Sequence, residues 1–144
     1  MKIVVVNKKA NFNYNVLDTY EAGIELKGVE VKSIHKGDVS ISEAYVVFKK
    51  NEAYILNMHV SPYDHGNIYN VDPLRTRKLL LHKKEIIKLE FYRKKDSITV
   101  VPLKIYWKNN KLKVLIGLAK GKNLIDKRNT IKERDLKRES KKYY

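Results

Sequence analysis

The chain has no cysteine among its 144 residues. Disulfides are thereby excluded, and so are the usual structural zinc sites, which draw on thiolates. A chain without cysteine suits a reducing cytosol, and the expected location is cytoplasmic. Long hydrophobic runs are missing as well. The stretch "IVVV" (Ile3 to Val6) is far too short for a signal-peptide core or a membrane span. Acidic residues are scarce: 16 Asp and Glu stand against 31 Lys and Arg, for a net charge of +15. A coding bias toward Lys, Ile, Asn and Tyr accounts for Lys over Arg. It does not account for so few acids. The excess suits a polyanionic partner, with nucleic acid ahead of an acidic membrane surface.

Signatures of catalysis are lacking too. There is no G-x-S-x-G, no phosphate-cradling Gly-rich loop and no H-E-x-x-H. The histidines are His35, His59, His65 and His82. In "HVSPYDH" the spacing is not that of a helical zinc pair, so loop histidines are the better reading and no metal site is expected. The carboxylates are scattered, without the pairing that Mg²⁺-assisted phosphodiester hydrolysis favours. A small RNA-processing enzyme is therefore a poor fit.

What is present reads as strands. From Tyr14 to Leu26, Tyr14, Val16, Tyr20, Ala22, Ile24 and Leu26 alternate with polar residues, the period of a half-buried strand. Gly23 is expected to mark a bend or bulge in it. "VEVKSIHKG" fits a short helix that packs Val31 and Ile34, shows Lys32, His35 and Lys36 to solvent, and stops near Gly37. Tyr45 to Phe48 and Tyr54 to Val60 form a hairpin about Lys50 and Asn51. Ser61 to Pro73 reads as a loop. "HKKEIIKLEFY" is helical, with Ile86 and Leu89, and Ile87 and Phe91, at helical spacing. In a second hairpin, Val101, Leu103, Ile105 and Trp107 alternate, "KNNK" turns, and Leu112, Val114, Ile116 and Leu118 alternate back.

Beyond Leu118 the composition changes. Residues 119–144 hold ten basic and four acidic residues and few apolar ones. Such a segment cannot bury enough surface to fold alone. The expected organisation is a body over 1–118 and a basic tail over 119–144, disordered by itself and helical on a partner. The body is mainly β: a small antiparallel barrel of the oligonucleotide-binding type with two or three short flanking helices.

One stretch, "DPLRTRKLLLHKKEI", sets dense positive charge against three leucines. If it is extended, Arg75 and Arg77 share a face. The leucines anchor it, and one of them cannot easily point inward. That one could lie flat against an exposed base. With His82 near a helix N-cap, Glu85 sits where a capping box would close. Lys83 and Lys84 then fall in a first turn, where the helix dipole disfavours cations unless an anion is expected. Glu21 projects from the polar side of the first long strand. A solvated carboxylate is the simpler account. In a basic site it could accept from a base amino group or a ribose hydroxyl.

Together, "NKKANFNY", "TYEAGIELKGVEVKSI", "DPLRTRKLLLHKKEI", "VPLKIYWKN" and "GLAKGKNLIDKR" resemble the SmpB family, in order from Asn7 to about Arg138. The resemblance implies an oligonucleotide-binding barrel that holds the tRNA-like domain of tmRNA (transfer-messenger RNA), one protein to one RNA. It implies entry into ribosomes stalled for want of a stop codon. The C-terminal tail would lie in the empty mRNA channel, near the decoding centre of the small subunit. It implies no cofactor, no small-molecule substrate, no membrane and no chemistry by the protein itself. Glu21, Lys32, Arg75, Arg77, Lys78, Leu80 and His82 match the RNA-contacting surface. Tyr45 matches an aromatic turned to the ribosome, and Lys120, Gly121, Lys122, Asp126, Lys127 and Arg128 match the tail motifs "KGK" and "DKR". Ile125 stands where some relatives have His, Phe12 replaces a residue that is often His, and the tail is shorter than in many relatives. The competing reading on the same fold is a general ribosome-associated or single-strand RNA binder without tmRNA preference.

Overall fold

A computed structural model describes residues 2–62, 71–95 and 98–121. In chain order these form β1 (Lys2–Val6), α1 (Lys8–Asn13), β2 (Tyr14–Ile24), α2 (Gly28–His35), β3 (Val39–Ser40), β4 (Tyr45–Lys49), β5 (Glu52–Leu56), β6 (His59–Val60), β7 (Arg77–Leu80), α3 (Lys83–Arg93), β8 (Ile98–Lys108) and β9 (Lys111–Gly121). Seven strands make one antiparallel sheet in the order β1-β8-β9-β2-β7-β5-β4, and β3 pairs with β6. The fold is mainly antiparallel β with short helices. The ladders leave the sheet open. Among the described residues no helix is long and apolar enough to cross a membrane.

Both hairpins turn through two successive residues of positive φ, three of the four being asparagine. Lys50 and Asn51 have φ of 52° and 62°, and Asn109 and Asn110 have 51° and 63°. Two such residues in a row match the twist of the flanking strands. The strand expected from Tyr54 to Val60 is interrupted at Asn57, whose φ is 59°. There the chain leaves β5 and turns as β6 toward β3.

The first long strand lies where alternation placed it, but its irregularity does not. The register shift falls between Val16 and Asp18, not at Gly23. Gly23 has another reason to lack a side chain: a Cβ there would lie 3.3 Å from the Leu80 Cβ on β7. A second shift, between Pro102 and Lys104, corrects the alternation read for β8. The extra residue splits the run between two faces. Val100 and Ile105 enter the main core with Ile34, Val46, Ile55, Leu79, Leu89, Val114 and Ile116. Val101 and Leu103 join Ala10 and Ala119 in a smaller cluster under α1.

The chain's start escaped the sequence reading. "IVVV" is too short for a membrane span, yet it supplies β1, which pairs with β8. Asn7, 2% exposed, then caps α1. Its Oδ1 accepts from the Ala10 N–H at 3.0 Å, and its Nδ2 donates to the carbonyls of Ile41 (3.0 Å) and Pro102 (2.8 Å). One side chain thus ties three segments together. The boundary after Leu118 also shifts. Ala119 is fully buried, and β9 continues to Gly121 opposite Tyr14.

Candidate nucleic-acid interface

Residues paired across an antiparallel ladder share a face. Glu21 pairs with Leu115, and Gly23 with both Lys113 and Leu80. Lys104 also pairs with Leu115, Tyr106 with Lys113, and Lys108 with Lys111. One sheet face therefore carries Leu80, Glu21 and a row of lysines. Lys104, Lys108, Lys111 and Lys113 were not read as site residues. Their signal was present: they occupy the alternate positions of the hairpin whose apolar positions defined the strands.

Glu21 is anchored within this row. Its Oε2 accepts from the Tyr106 hydroxyl, and the Lys108 Nζ stands 3.5 Å away. The Tyr106 hydrogen bond holds the Glu21 carboxyl below the usual carboxylate range, with Lys108 and Lys113 adding to it. Burial, and then the hydrogen bond to Glu21, push the Tyr106 phenol up to about 12. Glu21 is thus an ionised acceptor of fixed orientation, ready for a hydroxyl or amino donor.

The leucine triplet divides by position. Leu79 is 1% exposed, whereas Leu80 is 48% exposed over Gly23. His82 follows as the N-cap of α3. Its backbone N–H donates to Glu85 Oε1 at 3.1 Å, closing the contact expected from spacing. Lys83 and Lys84 are exposed in that first turn. Lys78, two residues before Leu80 on β7, pairs with Glu52 at 3.1 Å, and the Tyr54 hydroxyl donates to the same carboxylate at 2.5 Å.

Arg77 requires correction as an RNA contact. It is 0% exposed, so phosphate cannot reach it. Its Nη2 lies 2.5 Å and its Nε 2.6 Å from Glu30 Oε2, and its Nη1 donates to the Met58 carbonyl at 2.7 Å. Arg75 takes the other oxygen of Glu30 at 2.6 Å, with its own side chain 29% exposed. Burial opposes ionisation of Glu30. Hydrogen bonds from Arg75 and the Lys27 N–H, together with the Arg77 charge, still hold its carboxyl below the usual range. The two arginines thus fasten β7 to α2. Glu30 went unremarked in the sequence, although it is the acid that "RTR" faces.

The other expected contacts fall elsewhere. Lys32 is exposed on α2. Tyr45 opens β4 and borders a groove beside α1 that Lys9, Glu43 and Tyr14 also line. Tyr14 pairs with Gly121, next to Lys120. Of the residues expected to face the ribosome, Tyr45, Lys120 and Gly121 therefore lie about this groove. Lys122, Asp126, Lys127, Arg128 and His65 lie outside the described residues.

The family described as SmpB protein matches residues 4–144. The SsrA-binding protein of Malacoplasma penetrans is 69% identical over 99% of this chain and 98% of its own length. That of Ureaplasma parvum is 59% identical, over 96% and 99%. That of Aquifex aeolicus is 53% identical, over 94% and 87%. A solved tmRNA–SmpB structure concerned with the centre of the bacterial ribosome superposes with a TM-score of 0.71 at 43% identity, covering 88% of this chain and 93% of that one. With sequence, fold and nearly full-length coverage in agreement, the chain belongs to the SmpB family.

Proposed function

We propose that this protein binds the tRNA-like domain of tmRNA and delivers it to stalled ribosomes for trans-translation, the rescue that tags the unfinished peptide. The observation that carries the reading is Leu80. An aliphatic side chain is held open to solvent beside an anchored carboxylate and a row of lysines. Cations attract any RNA backbone. An acceptor and an apolar surface at fixed positions can discriminate among RNAs. The RNA-contacting set is Glu21, Lys32, Lys78, Leu80 and His82, extended by Lys104, Lys108 and Lys113. Arg75 and Arg77 act by holding β7 in place.

The finer architecture is a partly open barrel of the oligonucleotide-binding type. β4, at one end of the sheet order, lies beside β8 without a ladder between them, which supports this reading. Tyr45, Lys120 and Gly121 face the ribosome. Lys122, Asp126, Lys127 and Arg128 belong to a basic tail for the empty mRNA channel near the decoding centre. One protein serves one tmRNA in the cytoplasm, without a cofactor and without catalysis by the protein.

The test is to recover the RNA that co-purifies with the protein from its own cells. One dominant, partly tRNA-like species is expected. A broad population of RNAs would favour the general single-strand binder and sink the reading.

A further inference from the structure

Trp107 stands between two grooves. One carries Gly23, Leu80 and Lys113 and belongs to the interface above. The other is lined by Lys2, His35, Trp107, Asn109 and Asn110. Trp107 and Asn110 border both, so an RNA lying on Leu80 is led directly to the second groove. There His35, the last residue of α2, lies flat on Trp107. The ring centroids are 4.4 Å apart and the planes differ by 12°.

Core packing accounts for only half of this stack. Trp107 packs against the main core, but His35 is exposed. Exposed Lys2 supplies positive charge in this groove, and exposed Lys111 lines the first one. The positive-φ turn fixes Asn109 and Asn110 at the rim, and each side-chain amide can both donate and accept. A planar step flanked by a cation and amides has the features of a nucleotide site. Stacking on an aromatic ring tolerates any base, because every base has a π face.

We infer that the His35–Trp107 stack is a nucleotide-stacking step. An unpaired base of the bound RNA lies on His35, its phosphate is neutralised by Lys2, and the amides of Asn109 and Asn110 border its edge. This inference rests on the RNA-binding reading.

Trp107 is the only tryptophan, so its emission reports this spot. The full chain is titrated with the transcribed tRNA-like domain of tmRNA, with affinity measured separately by filter binding. In the wild type, emission should change as the RNA saturates. His35→Ala should lower affinity about tenfold and abolish most of that change. His35→Phe, which keeps a ring but no charge, should recover most of the affinity. Wild-type affinity in both variants overturns the inference and leaves the RNA reading standing. Failure of the wild type to bind the tRNA-like domain overturns both. Should His35→Ala not fold, the wild type and His35→Phe decide. RNA binding without an emission change, or a Phe variant as weak as one lacking the ring, overturns the stacking step.

Discussion

Single residues separate recognition from support. Leu80, half exposed, contributes little to the core, so Leu80→Ala should weaken RNA binding and leave the melting temperature nearly unchanged. A buried leucine such as Leu79 would lose about 2 to 5 kcal/mol on the same substitution. Thermal melts beside binding titrations check this, and a core-like loss at Leu80 would remove it from the RNA surface. Glu30→Gln tests the opposite role. It leaves Arg77 buried without a counter-charge and should cost about 3 to 5 kcal/mol. The folded Glu30 carboxyl has a lowered pKa. Its stabilisation is therefore present above the unfolded-state value and is lost as pH falls through the folded one. Denaturation across the acidic range should show a shallower pH dependence for Glu30→Gln than for the wild type. Equal slopes would dismiss the ion pair as a pH-linked element. Much of this residue scale was legible in advance. A run of three leucines on a strand must turn one of them outward, and His82 with Glu85 has capping spacing. The burial of Arg77 was not legible, because it depends on an acid 47 positions away along the chain.

Elements were readable wherever local chemistry decides them. Both hairpins announced themselves through alternation and turn asparagines, and α2 ended next to Gly37, whose φ is 82°. Helix spacing in α3 was read correctly, but it did not tell which pair would be covered. Ile86 and Leu89 are buried, whereas Ile87 and Phe91 are 53% and 62% exposed. What failed was whatever needed a distant partner. β1 pairs with β8, and the β8 irregularity accompanies the placing of Val101 and Leu103 with Ala10 of α1. Gly117 belongs to the same arrangement. A Cβ there would sit 2.9 Å from Leu103 Cδ1 and 3.2 Å from Val16 Cγ1. Gly117→Val should therefore destabilise the body by about 1 to 3 kcal/mol through overpacking. A urea titration at unchanged m-value would show it. A wild-type midpoint would mean that the small cluster has room to spare.

At the scale of the whole molecule, charge and chain order divide the labour. The lysine row and the tail both add to the net charge of +15, and in the proposed function they serve different partners. A chain ending at Gly121 keeps the full β2–β9 ladder, whereas one ending at Leu118 would lose its last three pairs. The Gly121 truncation should fold and bind tmRNA like the intact protein, yet fail to support peptide tagging on stalled ribosomes. Replacing Asp126, Lys127 and Arg128 together by Ala should produce much of the same defect. Binding and tagging measured side by side decide the matter: persistent tagging, or collapsed tmRNA binding, would refute the division.

The strand order also sets a timetable for synthesis. Among the described residues β9 is the last strand made, and it lies between β8 and β2 near the centre of the sheet. Until it emerges, β2 lacks its longest partner, and β1 with β8 has no ladder to the rest of the sheet. Pairing across such separations makes folding slow and late. Lys111 and Lys113 arrive only with that strand, so the lysine row is completed in the same step that joins the two parts of the sheet. A nascent chain cut short before β9 presents Glu21 and Leu80 without their setting, and it should not compete with finished protein for RNA. A factor proposed to serve interrupted translation should therefore be silent when its own translation is interrupted.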